Sequence, residues 1–95
     1  MREEFKEVYQ MFIDNYGIKS QRLLCIEEMS ELTKELCKIN RYAGTDKEKQ
    51  VIENIKEEIA DVLNMVEQLE YIFGADDIEK IRTDKIERSK NLYFK

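Results

Sequence analysis

Apolar residues recur every three or four positions along most of this chain, which is the repeat of an α-helix with one buried face. Two long runs carry the repeat, and their members are Cys25, Met29, Leu32, Leu36 and Ile39, then Ile52, Ile55, Ile59, Val62, Val66 and Leu69. The alternation of four- and three-residue steps predicts that these two helices pack side by side at a shallow crossing angle, as helices do in bundles.

Interruptions of the repeat divide the chain into four helices. Gly17 and Gly74 each follow an aromatic residue and end a helix, and the segment Tyr-Ala-Gly-Thr-Asp at 42–46 has the composition of a loop. The absence of proline and a charged fraction of 39% suit long amphipathic helices. The sequence therefore predicts one all-α, four-helix bundle-like domain over residues 1–95, with helices near 2–15, 19–41, 47–73 and 76–93.

Charge and composition limit the partners of this domain. A net charge of −5 argues against a nucleic-acid-binding surface. The charged N-terminal segment does not resemble a signal peptide, and no apolar run approaches the roughly 20 residues that cross a membrane. Cys25 and Cys37 would lie about 18 Å apart on one helix, too far for a disulfide. We expect a cytoplasmic protein that contacts neither membrane nor nucleic acid and supplements its thin core by self-association.

Four acidic residues lie where a plain helical bundle would place apolar side chains or their immediate neighbours. At 100° per residue, Glu28 falls about 60° from the centre of its helix's apolar stripe, and Glu58 falls inside the broad apolar arc of the next helix. Glu31 and Asp61 follow one turn later on the same sides. Such a group of carboxylates is stabilised either by raised pKa values or by a multivalent cation. Each pair alone is commonly solvated surface, but the two pairs together favour Mg²⁺ or Mn²⁺, which prefer oxygen ligands.

The last predicted helix carries a mixed stripe of apolar and basic residues. Three- and four-residue steps put five residues on one face, namely Ile78, Ile81, Lys85, Arg88 and Leu92. In one interpretation the basic side chains cover apolar surface with their aliphatic stems. In the other, Lys85 and Arg88 bind a polyphosphate beside the acidic residues, which is the combination of charges that phosphoanhydride hydrolysis requires.

The two acidic motifs resemble those of a known enzyme family. The stretches Glu28-Met-Ser-Glu31 and Glu58-Ile-Ala-Asp61 resemble the E-x-x-E and E-x-x-D signature of the MazG-like, all-α nucleoside triphosphate pyrophosphohydrolase superfamily, in particular its short phage- and Firmicute-style members. The resemblance extends roughly from Gly17 to Arg88.

This resemblance implies a homodimer or homotetramer that hydrolyses nucleoside triphosphates between the α and β phosphates, releasing a nucleoside monophosphate and pyrophosphate. The implied Mg²⁺ ligands and catalytic residues are Glu28, Glu31, Glu58 and Asp61. The implied substrate contacts are Gln21, Asn64, Lys85 and Arg88, the last two on phosphate.

Two alternatives stay open at the level of the sequence. Helical domains of this size also serve as non-enzymatic modules for oligomerisation or partner binding. Within the same superfamily, phosphoribosyl-ATP pyrophosphohydrolases share the implied fold and reaction type. The loop at 41–47 is short and has no aromatic cluster, so the preferred nucleobase is not indicated.

Overall fold

The computed structural model describes residues 1–93, and that range is all-α. A short 3-10 turn, Glu3–Phe5, leads into four helices: α1 (Lys6–Tyr16), α2 (Ile18–Tyr42), α3 (Glu48–Phe73) and α4 (Ala75–Tyr93). The predicted all-α, four-helix bundle-like fold is confirmed, with most helix ends within two residues of expectation. The first helix begins later than predicted because the 3-10 turn precedes it. The last two residues of the predicted domain, 94 and 95, lie outside the described range.

Helices α2 and α3 form an antiparallel hairpin, and most of the tertiary contacts of the chain lie between them. The loop 43–47 reverses the chain direction through Gly44, whose φ of 78° is a conformation that favours glycine. Thr45 holds the turn, since its hydroxyl donates to the Tyr42 carbonyl at 2.7 Å and accepts from the Lys47 amide at 3.2 Å. This tight reversal sets which residues of the two helices face each other.

The face of α2 that packs against α3 is rotated slightly from the predicted apolar stripe. Its buried and half-buried residues include Gln21, Cys25, Glu28, Leu32, Glu35 and Ile39. Three apolar members are as predicted, but Met29 and Leu36 are 43% and 49% exposed. The inner positions expected for them are taken by glutamates one residue earlier in the chain.

The packed face of α3 shows the same rotation. Its buried and half-buried residues include Val51, Ile55, Glu58, Val62, Met65, Gln68 and Leu69. Two residues predicted to be inside, Ile52 and Ile59, are instead 39% and 41% exposed. Glu58 occupies the inner position beside Ile59, so both helices of the hairpin direct a glutamate into their common interface.

Helix α1 packs beside the hairpin through hydrogen-bonded tyrosines. The hydroxyl of buried Tyr9 and the backbone amide of Arg2 both donate to the Glu67 carboxylate. The Tyr71 hydroxyl donates to Gln10 at 2.5 Å, and its ring lies 6.2 Å from that of Tyr9. These contacts fix the N-terminal segment against the C-terminal half of α3.

Helix α4 leaves the hairpin soon after it begins. It follows Gly74, which has a φ of 115°, and among the described elements it contacts α3 alone. Ile78 is half-buried, whereas every residue from 79 to 93 is exposed. The molecule is correspondingly broad and flat, with extents of 45 × 44 × 22 Å. Over residues 1–93, a helix with the length and apolarity to cross a membrane is not found.

Candidate metal centre

The hairpin brings together three of the four predicted acidic ligands. Glu28 and Asp61 lie nearly equal numbers of residues before and after Thr45, so the antiparallel pairing puts them at the same level, with Glu58 one turn away. One carboxylate oxygen from each of Glu28, Glu58 and Asp61 lies within 4.8 Å of the others. We call these three residues the acidic trio. Glu28 and Glu58 are half-buried, and Asp61 is exposed.

Glu58 carries the least compensated charge of the trio. Its Oε2 atom is buried and has no hydrogen-bond partner among the described residues. Burial, followed by the negative charges of Asp61 and Glu28, raises the pKa of the Glu58 carboxyl above its ordinary value. A carboxylate of this kind, facing other carboxylates, is electrostatically suited to a cation.

Glu31, the fourth predicted ligand, lies outside the trio. Its carboxylate is exposed and is 3.7 Å from Nζ of Lys34, also on the surface. Exposed ion pairs of this type contribute little to stability, so the side chain is not held in place by its partner. The negative charge of Glu31 still acts on Glu58 and contributes to its raised pKa.

Glu35 is more central than the motif indicates. It is half-buried on the packed face of α2, two turns after Glu28. Its Oε1 atom accepts a hydrogen bond from Lys38 at 3.0 Å, while its Oε2 atom is buried without a described partner. The seven-residue spacing from Glu28 was the signal in the sequence, because it returns a residue to the same face of a helix.

Gln21 lies away from the trio, whereas Asn64 follows Asp61 by one helical turn. Gln21 is 5% exposed and sits two turns before Glu28 on the same face of α2. Asn64 is exposed and lines a shallow depression beside Arg2 and Tyr9. Both amides lie on the helices that carry the acidic residues, Gln21 buried on α2 and Asn64 exposed on α3.

The two predicted phosphate-binding residues also lie apart from the trio. Lys85 and Arg88 are exposed on α4, and within residues 1–93 neither forms an ion pair with a carboxylate. The start of α4 lies over Leu63 and Val66, with which Ile78 and Arg82 line a common depression. At 100° per residue, these positions are about 140–160° around α3 from Asp61.

A large apolar groove adjoins the acidic trio on the N-terminal side of Glu28. Its volume is about 910 Å³, and its lining residues include Phe12, Tyr16, Leu23, Leu24, Met65 and Gln68. Gln68 is 3% exposed, and its Oε1 atom has no hydrogen-bond partner in the described part of the chain. We refer to this feature as the apolar groove. Sequence reasoning did not identify it, because its walls come from α1, α2 and α3 together.

The donor set of the trio fits a hard divalent cation. All of the nearby ligand atoms are carboxylate oxygens, and the chain contains no histidine that would favour zinc. The buried, unpartnered oxygen of Glu58 supplies a further reason for a cation at this point. Mg²⁺ and Mn²⁺ are the ions that match these ligands.

Comparison of the chain with protein-family models, with curated proteins and with solved structures finds no match. The resemblance to the MazG-like superfamily therefore rests on the two acidic motifs of the sequence. What the fold adds is the position of those motifs, on facing turns of one helical hairpin.

Proposed function

We propose that this chain is a divalent-metal-dependent pyrophosphohydrolase of nucleoside triphosphates, similar to enzymes of the MazG-like superfamily. The observation that carries the proposal is the convergence of Glu28, Glu58 and Asp61 within 4.8 Å, with one Glu58 oxygen buried and unpartnered. A purely structural role does not account for three carboxylates that repel one another at the interface of two helices. A metal ion that binds both the carboxylates and a polyphosphate substrate would account for the arrangement.

The residues of the hairpin divide the work of binding the metal. Glu28, Glu58 and Asp61 would hold Mg²⁺ directly, and Glu31 is one turn from Glu28 and able to join them by a change of rotamer. Bound Mg²⁺ supplies positive charge to the phosphate oxygens and lowers the pKa of a coordinated water. Burial of Glu28 and Glu58 against α2 and α3 keeps their carboxylates oriented before any ligand arrives.

Lys85 and Arg88 would bind the phosphate oxygens of the substrate. A triphosphate carries more negative charge than a single divalent ion balances, and the acidic trio adds to it. The guanidinium of Arg88 offers a bidentate fork, and the ammonium of Lys85 is a compact point charge. Gln21 and Asn64 remain candidate contacts to the nucleoside.

The direct test is a screen of nucleoside triphosphates in the presence of Mg²⁺, with pyrophosphate and monophosphate measured separately. We expect the two products in equal amounts from at least one canonical, oxidised or methylated nucleotide. Glu58→Gln should lower kcat/KM by about 100-fold or more, because it removes a charged ligand. The matched control is Glu57→Gln, which changes an exposed neighbour of the same type.

Absence of turnover across the whole panel at micromolar enzyme would contradict the proposal. Release of inorganic phosphate instead of pyrophosphate would assign a different reaction to the site. Competition between ATP-derived phosphoribosyl substrates and deoxynucleotides would distinguish a phosphoribosyl-ATP pyrophosphohydrolase from a housecleaning enzyme of the nucleotide pool.

A homo-oligomer is part of the same proposal. Large apolar side chains stay exposed on every helix, among them Met11, Leu23, Leu63 and Ile86. Exposed apolar surface on this scale is typical of a protein that associates. Cys25 and Cys37 are both free thiols, which is consistent with a reducing compartment such as the cytoplasm.

The second candidate function is a helical module that oligomerises or binds a partner without catalysis. The same exposed apolar residues favour it. The two candidates differ in the role of the acidic trio. In a module without a ligand, Mg²⁺ or Mn²⁺ should not change the melting temperature, and Glu28→Ala and Glu58→Ala should raise it whether or not these ions are present.

A further inference from the structure

The exposed part of α4 needs a partner to be stable as a helix. Residues 79–93 bury no side chain against the rest of the described chain. A helical segment of this length is marginal in water unless it packs against something, because its own hydrogen bonds barely offset the loss of conformational entropy. Ile81, Leu92 and Tyr93 are more than half exposed on it. A stable α4 would therefore need to be covered by a surface that the described part of the single chain does not supply.

The charge of α4 indicates which kind of surface covers it. The exposed part of α4, residues 79–93, contains five basic residues against three acidic ones, whereas α3 contains two basic residues against seven acidic ones. Lys80 pairs with Asp84 and Arg82 with Glu79 on α4 itself, at 3.0 Å each. Lys85 and Arg88 have no such pairs within residues 1–93. Opposite charges on two parts of one chain favour association between copies of that chain.

The spacing of apolar and charged groups on α4 matches the surface around the acidic trio. On α4, Lys85 follows Ile81 by four positions, and Leu92 follows Arg88 by four. The same four-position step leads from Leu24 in the apolar groove to Glu28 in the trio, and from Asp61 to Met65. One helical turn, about 6 Å, thus divides the apolar from the charged group on both surfaces.

The protein's own α4 is not positioned to use this match. It begins over Leu63 and Val66, on the opposite side of α3 from Asp61, and then diverges from the hairpin. A second copy related by a twofold axis has no such constraint, because its α4 approaches from outside. In a twofold dimer each copy would lend its α4 to the other, which covers both helices and both grooves.

We propose that α4 of a second copy of this chain lies in the apolar groove and carries Lys85 and Arg88 to the acidic trio, so that each site is completed in trans. The docking of α4 is inferred from the match between its apolar and basic residues and the apolar groove beside the acidic trio. The phosphate-binding role of its basic residues rests on the proposed hydrolase. The groove is thereby an intermolecular helix site.

Cross-linking tests the docking without any reference to activity. In a Cys37→Ser background, where buried Cys25 is retained, Leu24→Cys protein is mixed with Ile81→Cys or Leu92→Cys protein and treated with a short bismaleimide. We expect a cross-linked dimer from one of these two mixtures, depending on the direction of α4. The matched control is Thr83→Cys, which lies on the opposite face of α4.

Three results would overturn the docking: cross-linking no better than with Thr83→Cys, a monomer by sedimentation at all concentrations, or protection of the Leu24→Cys thiol by a nucleoside monophosphate instead of by self-association. The double variant Lys85→Glu/Arg88→Glu should weaken the dimer. Lys90→Glu, on the other face of α4, should leave it intact. Circular dichroism confirms that each variant retains its helical content.

Subunit mixing tests the contribution of the basic residues to the site. Glu58→Gln and Lys85→Ala/Arg88→Ala proteins, each inactive alone, are unfolded together and refolded. If the site is completed in trans, half of the dimers are mixed and each has one intact site, so about a quarter of the wild-type activity returns. If the cross-linked dimer forms but the mixed protein recovers no activity, the contribution of Lys85 and Arg88 to the partner's site is refuted. An inactive wild-type protein would refute the hydrolase and leave the cross-linking result to decide the docking.

Discussion

Two glutamates of α3, Glu58 and Glu67, lie in sheltered positions and differ in what surrounds their charge. Burial by itself would raise the pKa of Glu67. Hydrogen bonds from the Tyr9 hydroxyl and the Arg2 amide, together with the Arg2 charge, outweigh burial and lower it. Around Glu58 the strongest influences after burial are other carboxylates, and its pKa is raised. Glu67 is therefore a satisfied structural acceptor, and Glu58 is the residue whose charge still lacks a partner.

The Tyr9 hydroxyl should couple the stability of the fold to alkaline pH. Burial, and then its hydrogen bond to Glu67, raises the pKa of Tyr9 to about 12. A raised pKa means that this stabilisation is complete below the unfolded value of about 10 and is lost as pH rises toward 12. We expect the free energy of unfolding, measured with urea, to fall over that window in the wild type and much less in Tyr9→Phe. At neutral pH the variant should lose about 1–2 kcal/mol.

The control for this prediction is Tyr16→Phe, since Tyr16 is 64% exposed. It should leave the alkaline dependence unchanged. An alkaline transition that is identical in the wild type and in Tyr9→Phe would show that the Tyr9–Glu67 contact does not stabilise the fold.

At the scale of single residues, helical periodicity identified the acids of the trio but not their neighbours. Glu28 and Glu58 were distinguishable from exposed Glu27 and Glu57 because 100° per residue separates adjacent positions clearly. Glu67 was not identifiable, because it lies away from the face that α3 turns to α2 and is sheltered by α1. The hydrogen bond between Tyr9 and Glu67 joins residues 58 positions apart, and no local sequence pattern predicts it.

At the scale of helices, the sequence predicted the elements well and the packed faces only approximately. A stripe of residues with four- and three-residue steps covers nearly the same helix face as the stripe shifted by one residue. The sequence prediction took as buried the stripe with more apolar residues. The hairpin uses the other stripe at Glu28 and Glu58, which leaves Met29 and Ile59 outside.

Helix α4 should be ordered only when the protein is associated. Its residues from 79 onward are all exposed in the described chain. Backbone amides at 80–93 should therefore exchange slowly with deuterium in a concentrated, dimeric sample and much faster after dilution to the monomer, while those of α3 stay protected at both concentrations. The measurement is hydrogen exchange by mass spectrometry at two protein concentrations. Equal and slow exchange of α4 at both concentrations would contradict its dependence on a partner.

At the scale of the whole molecule, three features limit the stability of the folded state: a thin core, a net charge of −5 and a cluster of acidic residues in the α2–α3 hairpin. The core between α2 and α3 includes few buried apolar side chains, among them Cys25, Val51 and Met65. A ligand that binds only the folded state adds directly to a stability that is small to begin with. Metal binding should thus be visible in the melting temperature of the whole chain.

Without divalent metal, Glu58→Gln should melt a few degrees above the wild type at pH 7, because it removes one of the mutually repelling charges at the helix interface. Adding Mg²⁺ at ten times its Kd should stabilise the wild type by about 1.4 kcal/mol, which corresponds to about 5–10 °C for a domain of this size. The same addition should change Glu58→Gln very little, so the order of the two melting temperatures reverses.

A control with NaCl separates specific metal binding from screening of the charges. Screening alone would shift the melting temperature of the wild type equally with NaCl and with Ca²⁺ or Mn²⁺ salts of the same ionic strength. Glu57→Gln should behave as the wild type throughout, because its carboxylate faces solvent. A wild-type melting temperature that does not respond to any divalent ion would mean that the acidic trio is not a metal centre, even if the hairpin that holds it is correct.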